Sequence, residues 1–282
     1  MKTKYLDLIE QTFDFPQEEF MVEDNELWWN NIRLMDIIEQ YGTPLKITYL
    51  PAIGKQIQKA KRMLNVTMAK VDYNGDYHYA YCTKSNHFSF VLEEALKNDI
   101  HLETSSAFDL NIIDRLEEEG KVSKDTYIIC NGFKRPQYTE NISYMINKGF
   151  NNLIPVIDNK EELNEYKIDG DKKIGLGIRI ASEEEPMFEF YTSRLGIRYN
   201  DVIPFYNIYV KDHPNFELKM LHFFINTGIK DSAYYWSELH KCVNLYTELK
   251  KIVPSLTMLN IGGGFPVKNT LAFDYDYEYM AE

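Results

Sequence analysis

Cysteine is scarce in this sequence: Cys82, Cys130 and Cys242 are the only three, widely spaced and without a CxxC pair. Histidines do not cluster either. These absences argue against a disulfide framework and against a metal centre, and free thiols in a reducing compartment are the simplest reading. Long apolar runs are missing as well. The opening residues, MKTKYLDLIEQTFDF, place acids close behind their lysines and offer neither a signal peptide nor a membrane span, so a cytoplasmic protein is expected. Positive charge is in deficit: 31 Lys and Arg against 43 Asp and Glu leave a net charge of −12, which repels nucleic acid and anionic membrane. No low-complexity linker interrupts the chain.

What is present is an alternation. Short apolar runs recur at 76–84 (DYHYAYCTK), 100–106, 126–132, 152–158, 173–180 (KIGLGIRI), 217–225 (ELKMLHFFI) and 256–264 (LTMLNIGGG). Between them lie stretches such as SAFDLNIIDRLEEEG, whose apolar residues fall at i, i+3, i+4 and i+7. Repeated β-then-α units imply a parallel sheet covered on both faces. A doubly wound open sheet and a (β/α)8 barrel both fit this pattern. The barrel is preferred because polar residues end nearly every run: Lys84, Glu103 and Thr104, Asn131, Asp158, Arg179, His222 or Thr227, and Gly262, Gly263 and Gly264. Barrels of this class build their active sites at that rim. Seven runs are visible and the sequence stops at YEYMAE, so a barrel incomplete before its eighth strand is expected over residues 71–282. Residues 1–70 read as a separate N-terminal part: a tryptophan-bearing helix over NELWWNNIRLMDIIEQYG, a strand at 44–50 between Pro44 and Pro51, and an amphipathic helix over 52–70.

Two elements carry chemistry. Lys84 follows a strand at the rim among small residues; partial desolvation there lowers an amine's pKa and frees it for Schiff-base formation. A surface cation is the competing reading. LNIGGGFP places three glycines after the seventh run, where backbone N–H groups can approach an anion as barrel phosphate sites do. A ligand-free tight turn is the alternative. An amine at one position and a phosphate cradle at another suit pyridoxal 5'-phosphate.

The ordered set YAYCTKSN, HLETSSAFDL, ICNGFK, VIDNKEEL, SRLGI, LHFF and LNIGGGFP, over roughly residues 40–266, resembles the alanine-racemase-type pyridoxal phosphate decarboxylases. ICNGFKRPQYTENI and GDYHYAYCTKSN are most similar to biosynthetic arginine decarboxylases. The resemblance implies that Lys84 holds the cofactor and that Gly262, Gly263 and Gly264 form its phosphate loop. It places Arg179 near the cofactor, with a structural ion pair at the rim as the equal alternative. His222 matches the first histidine of the family's LHFH strand and is a weaker site candidate. Phe224 takes the place of the second, ring-stacking histidine; a phenyl ring stacks but donates no proton. Thr227 preserves a hydroxyl where the family has GSQ.

The family's strand-eight carboxylate and arginine, and its C-terminal β-domain, have no counterpart in these residues; TPLKITYLP resembles the strand that the N-terminus lends to that domain. The implied activity is decarboxylation of an amino acid, L-arginine to agmatine and carbon dioxide, in a homodimer or higher homo-oligomer. The alternatives are diaminopimelate or ornithine as substrate, and a non-catalytic pyridoxal phosphate-binding or regulatory role.

Overall fold

The computed structural model of the protein describes residues 3–4, 19–182, 195–225, 232–266 and 279–280. The chain forms two compact units, one of residues 1–49 with 265–282 and one of residues 50–264.

In the first unit, strands β1 (Thr3–Lys4), β2 (Phe20–Glu23), β3 (Glu26–Trp29) and β4 (Ile32–Arg33) form an antiparallel sheet in that order. The helix expected over the tryptophans is therefore strand and turn up to Arg33, and α1 covers only its second half, Leu34–Tyr41. Two turns account for this. Asp24 and Asn25 have φ of 53° and 62°, and Asn30 and Asn31 have 50° and 62°. Two-residue hairpin loops require positive φ at both central positions, and Asn and Asp tolerate it best among residues with a side chain. Arg33 Nε and Nη2 each donate to the Glu26 carboxylate at 2.6 Å, a bidentate pair that ties β4 to β3.

The strand expected at 44–50 is a second correction. Those residues have no ladder partner among the described residues. Pro44 and Pro51 bound the segment and lack N–H donors, and an extended segment becomes a strand only where a neighbour pairs with it.

Helix α2 (Pro51–Lys70) opens the second unit, with Pro51 in the first turn where its missing N–H costs nothing. Its Ile57 packs on Ala95 and Ile100, so this unit begins at Leu50 rather than after residue 70. The seven apolar runs become β5 (Ala80–Cys82), β6 (His101–Thr104), β7 (Ile128–Cys130), β8 (Leu153–Ile157), β9 (Ile174–Ala181), β11 (Phe216–His222) and β12 (Met258–Asn260). A two-residue strand unforeseen in the sequence, β10 (Ile197–Arg198), pairs with the end of β9. Helices α3 (Ser89–Leu96), α4 (Ala107–Glu118), α5 (Pro136–Lys148), α6 (Val202–Phe205) and α7 (Ser232–Lys250) lie between strands. All pairings in this sheet are parallel, in the order β12-β11-β9-β8-β7-β6-β5.

One hydrogen bond reveals the sheet's curvature. Asn260 Nδ2, on β12, donates to Glu103 Oε2, on β6, at 3.0 Å. Five strand steps separate these elements in the order above, about 24 Å in a flat sheet, which two such side chains cannot bridge. The sheet therefore curls into an open barrel. Ile129, Ile154, Val156 and Met220, from β7, β8 and β11, form a buried cluster, with Ala80, Tyr127 and Met258 packed against it.

Candidate active site

The C-terminal ends of these strands gather most of the residues singled out in the sequence. Lys84 lies in a turn of 3₁₀ helix, Thr83–Ser85, directly after β5. Ser85 Oγ closes the turn by donating to the Cys82 carbonyl at 2.7 Å, and Thr83 Oγ1 pins it to β6 by donating to the Glu103 carbonyl at 3.1 Å. Lys84 itself is exposed, and its Nζ lies 5.5 Å from the centre of the Phe224 ring. The desolvation expected from the sequence is not supplied by burial within the described residues. Lys84 borders a groove of about 440 Å³ with His87, Ser105, Ser106, Phe108 and Asp109.

Beneath the rim runs a polar network that crosses the barrel. The Asn131 amide is oriented by its neighbours: Oδ1 accepts from Gly132 N–H at 2.9 Å, so Nδ2 faces Glu103 Oε1 at 3.2 Å and His222 Nε2 at 2.7 Å. His222 Nε2 is thus the acceptor, and the neutral ring carries its proton on Nδ1. His222 is fully buried, and burial lowers its pKa to about 4; the Glu103 carboxylate opposes this shift and the Arg179 cation adds to it.

A histidine held neutral in the fold but free to charge when unfolded makes stability depend on pH. Between its ordinary value of about 6.5 and the folded value, the unfolded chain binds the extra proton, so stability falls as pH drops through that window. Urea unfolding at pH 7.5 and pH 5 is expected to show a smaller difference for His222→Gln than for the unchanged chain.

Arg179 and Phe224 form the centre of the cluster. The Arg179 guanidinium carbon lies 4.3 Å from the Phe224 ring centre, and the His222 ring lies 5.9 Å away at an interplanar angle of 24°. Arg179 is buried, and its Nη1 stands 3.7 Å from Asp158 Oδ1. Burial raises the pKa of Asp158, opposed by the positive charges of Arg179 and Lys134. Lys134, in the ICNGFK segment, is buried too. Its Nζ pairs with Glu162 Oε2 at 3.2 Å and donates to the carbonyls of Gly132, at 3.0 Å, and Val156.

The glycine loop leaves β12 with its first residue fixed and its second open. Gly262 has φ 71°, and a Cβ there would lie 2.4 Å from Phe224 Cβ and 2.5 Å from the Phe223 carbonyl oxygen. Around Gly263, among the described residues, no atom beyond its own chain neighbours lies within 4 Å of the position a Cβ would take. Gly264 has φ 81°. A backbone open on one side and backed by packed aromatics suits an approaching phosphate. Together with the Lys84 amine beside Phe224, the residues present fit pyridoxal phosphate. Thr227 lies outside the described residues.

The pyridoxal-binding domain of the pyridoxal-dependent decarboxylases matches residues 53–280. The chain belongs to this family. Among its relatives, biosynthetic arginine decarboxylase 2 of Synechocystis is 24 % identical over 270 residues, covering 87 % of this chain and 40 % of that protein. The chain thus spans about two fifths of that relative's length. The fold is shared with the biosynthetic arginine decarboxylase of Campylobacter jejuni, at TM-score 0.69 and 20 % identity over 93 % of this chain and 46 % of that one. It is shared also with the diaminopimelate decarboxylase of M. jannaschi, at TM-score 0.75 and 16 % identity over 94 % and 61 %.

In the sequence Glu103, Asn131 and Asp158 stand at the ends of apolar runs, but nothing there shows the contacts they make, and Asn260, Lys134 and Glu162 do not stand out. A signal was available for Asn260: it is the polar residue that ends an apolar run, immediately before the glycines. None of the described helices is long and apolar enough to cross a membrane.

Proposed function

We propose that this chain is the cofactor-binding barrel of an L-arginine decarboxylase that uses pyridoxal 5'-phosphate and forms agmatine and carbon dioxide. The observation that carries the reading is the convergence of Lys84, Arg179 and His222 on Phe224 at one end of the barrel. In this reading Lys84 Nζ holds the cofactor, the backbone of Gly262, Gly263 and Gly264 receives its phosphate, and the Phe224 face packs against its ring. His222 stays neutral in its buried position, and the Arg179 cation beside Phe224 favours negative charge nearby. When bound, the cofactor supplies an electron sink for the pair left as the carboxylate departs. Lys84 Nζ, beside Phe224, is placed to deliver a proton, a task closed to the phenyl ring.

Similarity to the arginine decarboxylases, with the ICNGFK segment, supports arginine as substrate. The unpaired cysteines among the described residues are in keeping with a cytoplasmic setting, and a homodimer is the assembly proposed.

Incubation with pyridoxal phosphate, borohydride reduction and peptide mapping are expected to label the peptide containing Lys84; label on another lysine alone would overturn the reading. For the substrate, the whole protein is expected to release carbon dioxide from carboxyl-labelled arginine in preference to ornithine, lysine or diaminopimelate. Phe224 favours one second reading, a cofactor-binding protein without turnover. Labelled Lys84 with no release from any of the four amino acids would select it.

A further inference from the structure

The Gly262 N–H is engaged inside the protein. It donates to Asn260 Oδ1 at 2.8 Å, closing an Asx-turn where β12 becomes the glycine loop. The same amide donates through Nδ2 to Glu103 Oε2 at 3.0 Å. An N–H on one side and a carboxylate on the other fix the orientation of the Asn260 amide, since turning it over would set donor against donor and oxygen against carboxylate. Glu103 is held in turn, because its other oxygen, Oε1, accepts from Asn131 Nδ2 at 3.2 Å. A carboxylate on β6 thus holds a side chain on β12, and that side chain holds the first turn of the loop. Hydrogen bonds to an ionised acceptor are the stronger kind.

The next two N–H groups are placed differently. Gly263 and Gly264 are exposed, and among the described residues their N–H groups donate to no protein acceptor. Donors fixed before an anion arrives bind it better than donors the anion must first order. We infer that Glu103, acting through Asn260, is a positioning residue that holds the Gly263 and Gly264 N–H groups in place for a phosphate, while Gly262 contributes its φ of 71° rather than its N–H. The inference rests on the reading of this rim as a pyridoxal phosphate site, and it ties Glu103 to the phosphate end of the cofactor rather than to Lys84. It also explains why position 260 suits an amide. A carboxylate there would still accept from Gly262, but it has no hydrogen to give Glu103 and would repel it.

The test titrates the full chain spectrophotometrically with two ligands that differ only in the phosphate, pyridoxal 5'-phosphate and pyridoxal. Asn260→Asp is expected to weaken binding of the phosphorylated ligand roughly tenfold and that of pyridoxal less than about twofold. Exchanging the pair, Asn260→Asp with Glu103→Gln, rebuilds the link with its direction reversed: the new amide at 103 donates to the new carboxylate at 260, which still accepts from Gly262 N–H, and the remaining oxygen at 103 still accepts from Asn131. The exchanged pair is expected to recover most of the loss. A loss shared equally by both ligands, or an exchanged pair that binds pyridoxal phosphate no better than Asn260→Asp alone, overturns the inference and leaves the functional reading standing. Absence of pyridoxal phosphate binding by the unchanged chain overturns the functional reading and this inference with it. If Asn260→Asp does not fold, Asn260→Ala takes its place in the ligand comparison: a loss confined to the phosphorylated ligand upholds the inference, and an equal loss for both overturns it.

Discussion

Gly262→Val lowers the melting midpoint of the chain and Gly263→Val does not; the second change becomes visible only when pyridoxal phosphate is titrated. At position 262 the new Cβ meets Phe224 Cβ at 2.4 Å and the Phe223 carbonyl at 2.5 Å, and both are held in or next to the packed end of β11. The backbone φ of 71° is also one that a β-branched residue strongly resists. Overpacking and left-handed strain together give a loss on the order of 4 kcal/mol. At position 263 the space is open among the described residues, so a valine side chain clashes with none of them and occupies the side from which a phosphate would approach. Scanning calorimetry separates the two variants, and cofactor titration then reads Gly263→Val, expected to weaken binding at least tenfold. Unchanged affinity at 263 would reduce the loop to a turn.

The second large effect is expected away from the glycine loop. Lys134→Met removes one member of a buried ion pair and strips the Gly132 and Val156 carbonyls of a donor. The Glu162 carboxylate is then left buried without its cation, a loss of about 3–5 kcal/mol. The double change Lys134→Met with Glu162→Leu is expected to recover part of it, because removing both charges also removes the desolvation penalty. Denaturant unfolding of the single and double variants measures this directly. A double variant less stable than Lys134→Met alone would contradict the account.

The barrel strands were legible because each is an apolar run bounded by polar residues, and parallel strands covered on both faces need little else. Lys84, Arg179, His222 and the glycines were legible because they end such runs. The N-terminal sheet was not. Apolar spacing in ELWWNNIRLMDIIEQY fits a helix almost as well as a hairpin, and only the Asp24-Asn25 and Asn30-Asn31 pairs, read as turns, distinguish the two. Segment 44–50 has strand composition without a strand partner, and a partner is a property of the fold rather than of the segment. The buried charges of Lys134 and Glu162 are not legible because isolated Lys and Glu read as surface residues unless their pairing is known.

The hydrogen bond between Glu103 and Asn260 joins residues 157 positions apart, more than half the length of the chain. Contacts of such separation form after a large loss of chain entropy, and folds dominated by them assemble slowly. Glu103, Asn260 and His222 come from β6, β12 and β11 and Asn131 directly follows β7, so their network is complete only when the last of these strands has joined the sheet. During synthesis Lys84 therefore emerges and takes its place well before the histidine, the asparagine and the glycines around it exist, and competence to hold a cofactor arrives as a single late event rather than growing strand by strand.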